Sequence, residues 1–131
     1  MTKPSDELLK RAYAQDASIY QETPQDVAFP VSAEEVVALV RSGKPLIPRA
    51  AGTSLAGQVV GDGTVLDTGR HMNAIVHINV EDQWAEVQPG VVRDELNHRL
   101  KEYGLFFGPN TSTSNRCMMG GMVGNNSSGS T

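Results

Sequence analysis

"SAEEVVALVRSGKPLIPRAAGTSLAGQ", residues 32–58, decides the fold. Its first part predicts a helix over 33–42. Ser32 and Glu35 have the spacing of a capping box. Val36, Val37 and Val40 supply a buried face, and Gly43 is a good stop. "KPLIPRA" then reads as a short strand over 45–50, and a glycine-rich loop follows it. Helix, strand and loop in that order, with another helix to come, predict α/β architecture.

Toward the N-terminus, a first helix is predicted over about 5–14. Ser5 caps it, Asp6 and Glu7 suit its first turn, and Leu8, Leu9 and Ala12 form one stripe. Residues 16–31 read as irregular, with Pro24 and Pro30 as breakers. Beyond the loop, "TVLDT" (64–68) is a short strand. "NAIVHINV" (73–80) and "QWAEVQ" (83–88) are strands split by Glu81-Asp82, which suits a tight hairpin. Alternation places Val76, Ile78 and Val80 toward the core, together with Ala85 and Val87. Trp84 shares the other face with Glu86 and is expected to pack under neighbouring structure. A third helix is predicted over about 91–103 from Val92, Leu96, Leu100 and Tyr103, ended by Gly104. "LFF" (105–107) reads as a short strand.

The totals bound the class. A chain of 131 residues fits one domain able to bury its own core. Its hydrophobic content of 39% and charged content of 20% are ordinary for a globular protein. The net charge is -4 and the basic residues are scattered, which argues against nucleic acid as partner. A single cysteine, Cys117, excludes an intrachain disulfide. The N-terminus lacks the apolar core of a signal peptide, and no apolar run approaches the ~18 residues of a membrane span. The expected localisation is cytoplasmic.

Two loops carry the chemistry. In "PRAAGTSLAGQ" (48–58), small residues let backbone N–H groups approach a ligand and form an anion-binding nest. Thr53 and Ser54 add hydroxyls and Arg49 adds charge. The loop matches neither a Walker A loop nor G-x-G-x-x-G. On composition alone it reads equally well as a tight connection. In "FFGPNTSTSNRCMMGGMVGNNSSGS" (106–130), residues 117–123 predict a short helix packed through Met119, Met122 and Val123. Gly120 and Gly121 each cost a helix about 1 kcal/mol, which close approach of another group would explain. The alternative is a flexible tail, against which the Met cluster counts. His71, His77 and His98 lack metal-ligand spacing. Cys117 stands alone and reads as a small residue at a helix start. Asp67 reads as the cap of the following turn.

Taken together, "PRAAGTSLAGQ", "VLDTGRHMN", "VQPGVVRDELN", "GLFFGPNTSTSNRC" and "GGMVGNNSSG", in that order, resemble the FAD-binding domain of the vanillyl-alcohol oxidase and p-cresol methylhydroxylase type. The nearest branch looks like the D-lactate, glycolate and D-2-hydroxyglutarate dehydrogenases, some of which carry C-terminal iron–sulfur domains. The resemblance implies that Arg49, Ala50, Ala51, Gly52, Thr53 and Ser54 wrap the FAD pyrophosphate through backbone amides, with Gly57 allowing the turn. The family often has glycine at Ala50 and Ala51, where a methyl group fits only if φ stays negative. Thr53 stands where covalently flavinylated relatives place histidine, so non-covalent FAD is implied. Pro109, Thr111, Ser112, Ser114, Gly120, Gly121, Asn125, Asn126 and Gly129 would run along the ribityl chain and flavin.

The implied fold is α/β (α+β), the N-terminal part of a two-subdomain FAD-binding domain: a small sheet flanked by helices, plus a β-hairpin. The whole chain, 1–131, would be one truncated FAD-binding domain. Its first subdomain covers about 1–107, and about 108–131 begins the second and holds the flavin loop. The implied function is the FAD-binding portion of a flavin-dependent oxidoreductase that oxidises a small D-2-hydroxy acid. Substrate-binding and catalytic groups and any metal ligands would lie outside this chain, leaving it inactive alone and with weak or no FAD binding. Self-association through surfaces left open is expected. The rivals are another flavoenzyme of the superfamily (a cell-wall precursor reductase, or an alcohol or aldonolactone oxidase) and a non-enzymatic nucleotide-binding or interaction module. A yellow preparation would separate the flavoenzymes from the module.

Overall fold

The computed structural model describes residues 6–129. Helix α1 spans Asp6–Ala12, shorter than the expected 5–14, and the proposed Ser5 cap lies outside the described residues. The expected stripe is only partly used: Leu8 is exposed and Leu9 half-buried. The inward contacts come just past the helix, from Tyr13 and the fully buried Ala14.

Strand β1, Asp26–Ala28, lies inside the segment read as irregular. Three residues are too few to show an alternation, and β1 exists only because a central strand pairs with it. Helix α2, Ala33–Arg41, follows as expected. The Ser32 hydroxyl accepts from the Glu35 amide at 3.4 Å, while the Glu35 carboxylate accepts from the Val31 amide at 2.9 Å. Gly43 ends the helix with φ at 70°. The inward face is not the expected Val36, Val37 and Val40. Val36 and Leu39 are half-buried, whereas Val37 and Val40 are exposed.

Strands β2, Leu46–Arg49, and β3, Thr64–Asp67, were both anticipated. The sheet order is β1-β3-β2, all parallel, with Thr64, Val65 and Leu66 of the middle strand buried. Adjacent parallel strands need a long crossover, usually a helix. Between β2 and β3 that crossover is the helix-free segment 50–63.

Strands β4, Ile75–Asn79, and β5, Trp84–Val87, form the antiparallel hairpin. Asn79 Oδ1 accepts from the Asp82 amide at 2.9 Å in the turn, and Gln83 takes φ of 57°. The expected face of β4 is corrected by a bulge. Ile75 pairs with Val87 but His77 pairs with Glu86, so one extra residue enters at Val76. Ile75 and Ile78 therefore both face the core, and Val76 and Val80 are exposed. Ala85 and Val87 point inward as expected. Trp84 is not covered by neighbouring structure; it is about half exposed and packs on His77, ring centroids 5.1 Å apart.

Helix α3, Arg93–Leu100, runs into a 3-10 turn, Lys101–Tyr103, and stops at Gly104 with φ of 68°. Helix α4 is Met119–Gly124. Val91, Leu96, Leu100, Cys117, Met119 and Met122 make one buried cluster against the inner face of the hairpin. Tyr103 and Val123, both expected inward, are exposed. Residues 105–107 do not form a strand. The Asn97 side chain replaces the missing partner: its Oδ1 accepts from the Phe107 amide at 2.6 Å, and its Nδ2 donates to the Phe107 carbonyl at 3.3 Å.

Candidate functional site

In open parallel sheets, ligands bind beyond the carboxyl ends of the strands. Here those ends are Ala28, Arg49 and Asp67, and the loop from Ala50 leaves the same edge. Ala51, Gly52, Thr53 and Ser54 are half-buried, yet among the described residues their amides donate to no protein acceptor. Amides that no protein acceptor takes are left for water or a ligand. Consecutive ones form a nest for an anion. Gly52 and Gly57 take φ of 65° and 70°, and neither Ala50 nor Ala51 has positive φ, as their methyl groups require.

The side chains of this loop mostly turn back into the protein. Arg49 Nη1 donates to the Gln15 carbonyl at 2.9 Å, and its guanidinium lies 5.2 Å from the centre of the Tyr13 ring. A methyl group on Gly52 would stand 2.5 Å from Arg49 Nη2, so the cation lies directly against that glycine. The Ser54 hydroxyl donates to Asp16. Of the groups that the sequence offered to a ligand, the Ser54 hydroxyl is thus spent on holding the loop, and the Arg49 cation braces it while lying against Gly52.

The second loop divides. Gly121 approaches the first loop so closely that a methyl group there would sit 3.2 Å from Ala50 Cβ. Asn125 Oδ1 accepts from Gln58 Nε2 at 2.6 Å. Gly120 lies against Pro89, its amide donating to the Pro89 carbonyl at 2.8 Å. Gly129, with φ of 73°, packs on the backbone of Asn110. Most of the remaining positions also make contacts within the fold. Pro109 accepts from Arg93 Nε at 2.6 Å, Thr111 contacts the Cys117 thiol at 3.1 Å, and Ser114 donates to Asp94 at 3.1 Å. Ser112 is exposed. Asn126 is the left-handed residue of a Schellman cap: its amide donates to the Val123 carbonyl and that of Ser127 to Met122.

Sequence reasoning missed the residues behind the first loop. The Tyr13 hydroxyl donates to Asp67 Oδ2 at 2.6 Å, and the Tyr13 ring meets Phe29 edge-on at 5.8 Å. Burial, then the hydrogen bond to Asp67 and its charge, push the Tyr13 phenol up to about 12. Asp67 Oδ1 meanwhile accepts from the Gly69 and Arg70 amides, the turn cap expected of it. The Tyr20 ring lies beneath Gly57, 2.7 Å from where a methyl group would be. The available signal was "YAQDASIY", two tyrosines flanking an aspartate in a stretch without hydrophobic period.

Comparison with known proteins gives the family. The chain is 46% identical over 132 aligned residues to a D-2-hydroxyglutarate dehydrogenase of Pseudomonas putida, covering 95% of this chain and 13% of that protein. It is 43% identical to a D-2-hydroxyglutarate dehydrogenase of Escherichia coli, covering 87% of this chain and 12% of that one. A glycolate oxidase subunit GlcD of Bacillus subtilis is 32% identical over 89% of the chain and 26% of its own length. The chain thus spans about an eighth of the dehydrogenases. Among solved structures, an alkyldihydroxyacetonephosphate synthase superposes with a TM-score of 0.69 at 27% identity, over 79% of this chain and 22% of the other. Residues 24–131 match a family described as the FAD binding domain. That match spans both loops and every strand from β1 onward, and by it this chain belongs to the FAD binding domain family.

Proposed function

We propose that this chain is the part of a flavin-dependent D-2-hydroxy-acid dehydrogenase that grips FAD by its pyrophosphate. The observation that carries this is the run of four amides at Ala51–Ser54 that have no protein partner among the described residues, set at the carboxyl ends of the strands. The fit is good: positive φ at Gly52 and Gly57 turns the loop, and the Arg49 cation lies against Gly52. Gly121 and Asn125, which meet the first loop at Ala50 and Gln58, extend the cradle toward the ribityl chain and flavin. Thr53 offers no imidazole, so the cofactor is held without a covalent bond. Bound FAD would supply the redox chemistry, taking a hydride from the hydroxyl-bearing carbon of the substrate.

The substrate class follows the relatives, at least four of which carry the name D-2-hydroxyglutarate dehydrogenase. Among the described residues, no helix is long and apolar enough to cross a membrane, and we place the protein in the cytoplasm. Exposed Leu55 and Val123 are candidates for covering the cofactor or for self-association.

The test is an NMR titration of the chain with FAD and, separately, riboflavin, which lacks the pyrophosphate. FAD should move the amide signals of Ala51–Ser54 and riboflavin should leave them in place. Equal shifts with riboflavin, or none with FAD at millimolar concentration, would overturn the reading.

A further inference from the structure

Residues 13–20, between α1 and β1, touch the first loop or its base at three points. Tyr13 packs on Arg49, Asp16 accepts from the Ser54 hydroxyl, and the Tyr20 ring fills the space under Gly57. Among the described residues, the amides of Ala51–Ser54 pair with no protein acceptor, so this part of the loop has no ladder of its own. Its shape must therefore be imposed from outside.

We infer that Asp16 is a positioning residue for the cofactor loop, fixing Ser54 so that the amides of Ala51–Ser54 converge before any ligand arrives. Asp16 suits this role because both carboxylate oxygens are engaged. Oδ2 accepts from the Ser54 hydroxyl and Oδ1 accepts from the Ser18 amide at 2.8 Å. Ser18 in turn accepts from the Tyr20 amide at 3.1 Å, which ties Asp16 to the ring beneath Gly57. Partial burial works against the Asp16 carboxylate. The bonds from Ser18, Ser54 and the Val59 amide outweigh it and hold the group below the usual carboxylate range. The charge is thus present at neutral pH, where charge-assisted bonds are the stronger kind. Asp16 does not belong to the amide nest, so its effect on a ligand is exerted through Ser54.

What the loop binds rests on the FAD reading above; that Asp16 shapes the loop does not. The experiment measures backbone order parameters by nitrogen relaxation in the wild-type chain and in Asp16→Ala, Ser54→Ala, Ser54→Thr and the double alanine variant. In the wild type, the amides of Ala51–Ser54 should be rigid, with order parameters near 0.85. Asp16→Ala should drop them below about 0.6 while β3 and α3 keep theirs. Ser54→Ala should give the same drop, the double variant no more than either single one, and Ser54→Thr should restore rigidity. In the FAD titration, Asp16→Ala should weaken binding about tenfold or more. A loop that stays rigid in Asp16→Ala would overturn the inference. So would a drop spread evenly over the chain, or effects of the two alanines that add. If FAD fails to move the wild-type amides, the cofactor reading falls and the order parameters still decide the role of Asp16.

Discussion

At the scale of single residues, the contact between Tyr13 and Asp67 joins the end of α1 to the end of the middle strand. Its loss in Tyr13→Phe leaves a carboxylate oxygen without its donor and should cost about 1–2 kcal/mol in urea unfolding. The same phenol makes stability fall at high pH, because burial first, and then the bond to Asp67 and its charge, hold its proton. The phenol is raised from 10.0 to about 12 on folding, so the folded state holds its proton more tightly than the unfolded chain does. That contribution is fully present below pH 10 and is lost as pH rises through about 12. The wild type should lose stability across this window more steeply than Tyr13→Phe. Parallel curves for the two proteins would dismiss the contact as a source of stability.

At the scale of elements, α4 is a short helix whose end is set by one asparagine. Asn126 holds φ of 51°, a conformation that glycine adopts freely and alanine pays about 1 kcal/mol or more to enter. Asn126→Ala should therefore lower stability by about 1 kcal/mol, while Asn126→Gly should match or exceed the wild type in thermal unfolding. A loss in the glycine variant as large as in the alanine one would mean that the side chain, not the backbone, matters there. This cap was invisible in "GNNSSG", where two asparagines read as ligand donors. What could be read was whatever rests on local pattern: the capping box of α2, the stops at Gly43 and Gly104, and the turn role of Asp67. What could not be read depends on distant partners. β1 is too short to show a period and needs β3 to exist. The face of β4 flips at Val76 because of a bulge that only the pairing with β5 reveals. The glycine-rich loop itself was legible in its glycines, but its supports at Tyr13, Asp16 and Tyr20 lie some thirty or more residues away in sequence.

At the scale of the molecule, the parallel sheet and the hairpin-helix layer meet where glycines allow backbones to touch. A methyl group on Gly90 would lie 2.8 Å from Gly69 Cα. Within the hairpin-helix layer a second seam joins α4 to the end of β5, where a methyl group on Gly120 would lie 2.6 Å from Pro89 Cβ. Gly120→Ala tests this second seam, because two effects oppose each other. Alanine favours the helix by about 1 kcal/mol. The collision is with a rigid ring and its backbone, and overpacking of that kind costs about 1–3 kcal/mol. The collision should win, and the variant should melt at a lower temperature than the wild type. A higher melting temperature would show that the seam has room to spare.

The helix-free crossover from β2 to β3 carries one last implication. The segment that closes the sheet is also the one whose amides, among the described residues, have no protein partner, so the topology of the fold and the proposed grip on FAD would fall on the same residues. Occupancy and folding are then thermodynamically linked. A bound pyrophosphate would act as the missing rung of the crossover, raising the unfolding temperature by mass action in proportion to the logarithm of its concentration. Cofactor supply would set how much of this protein stands folded in the cell.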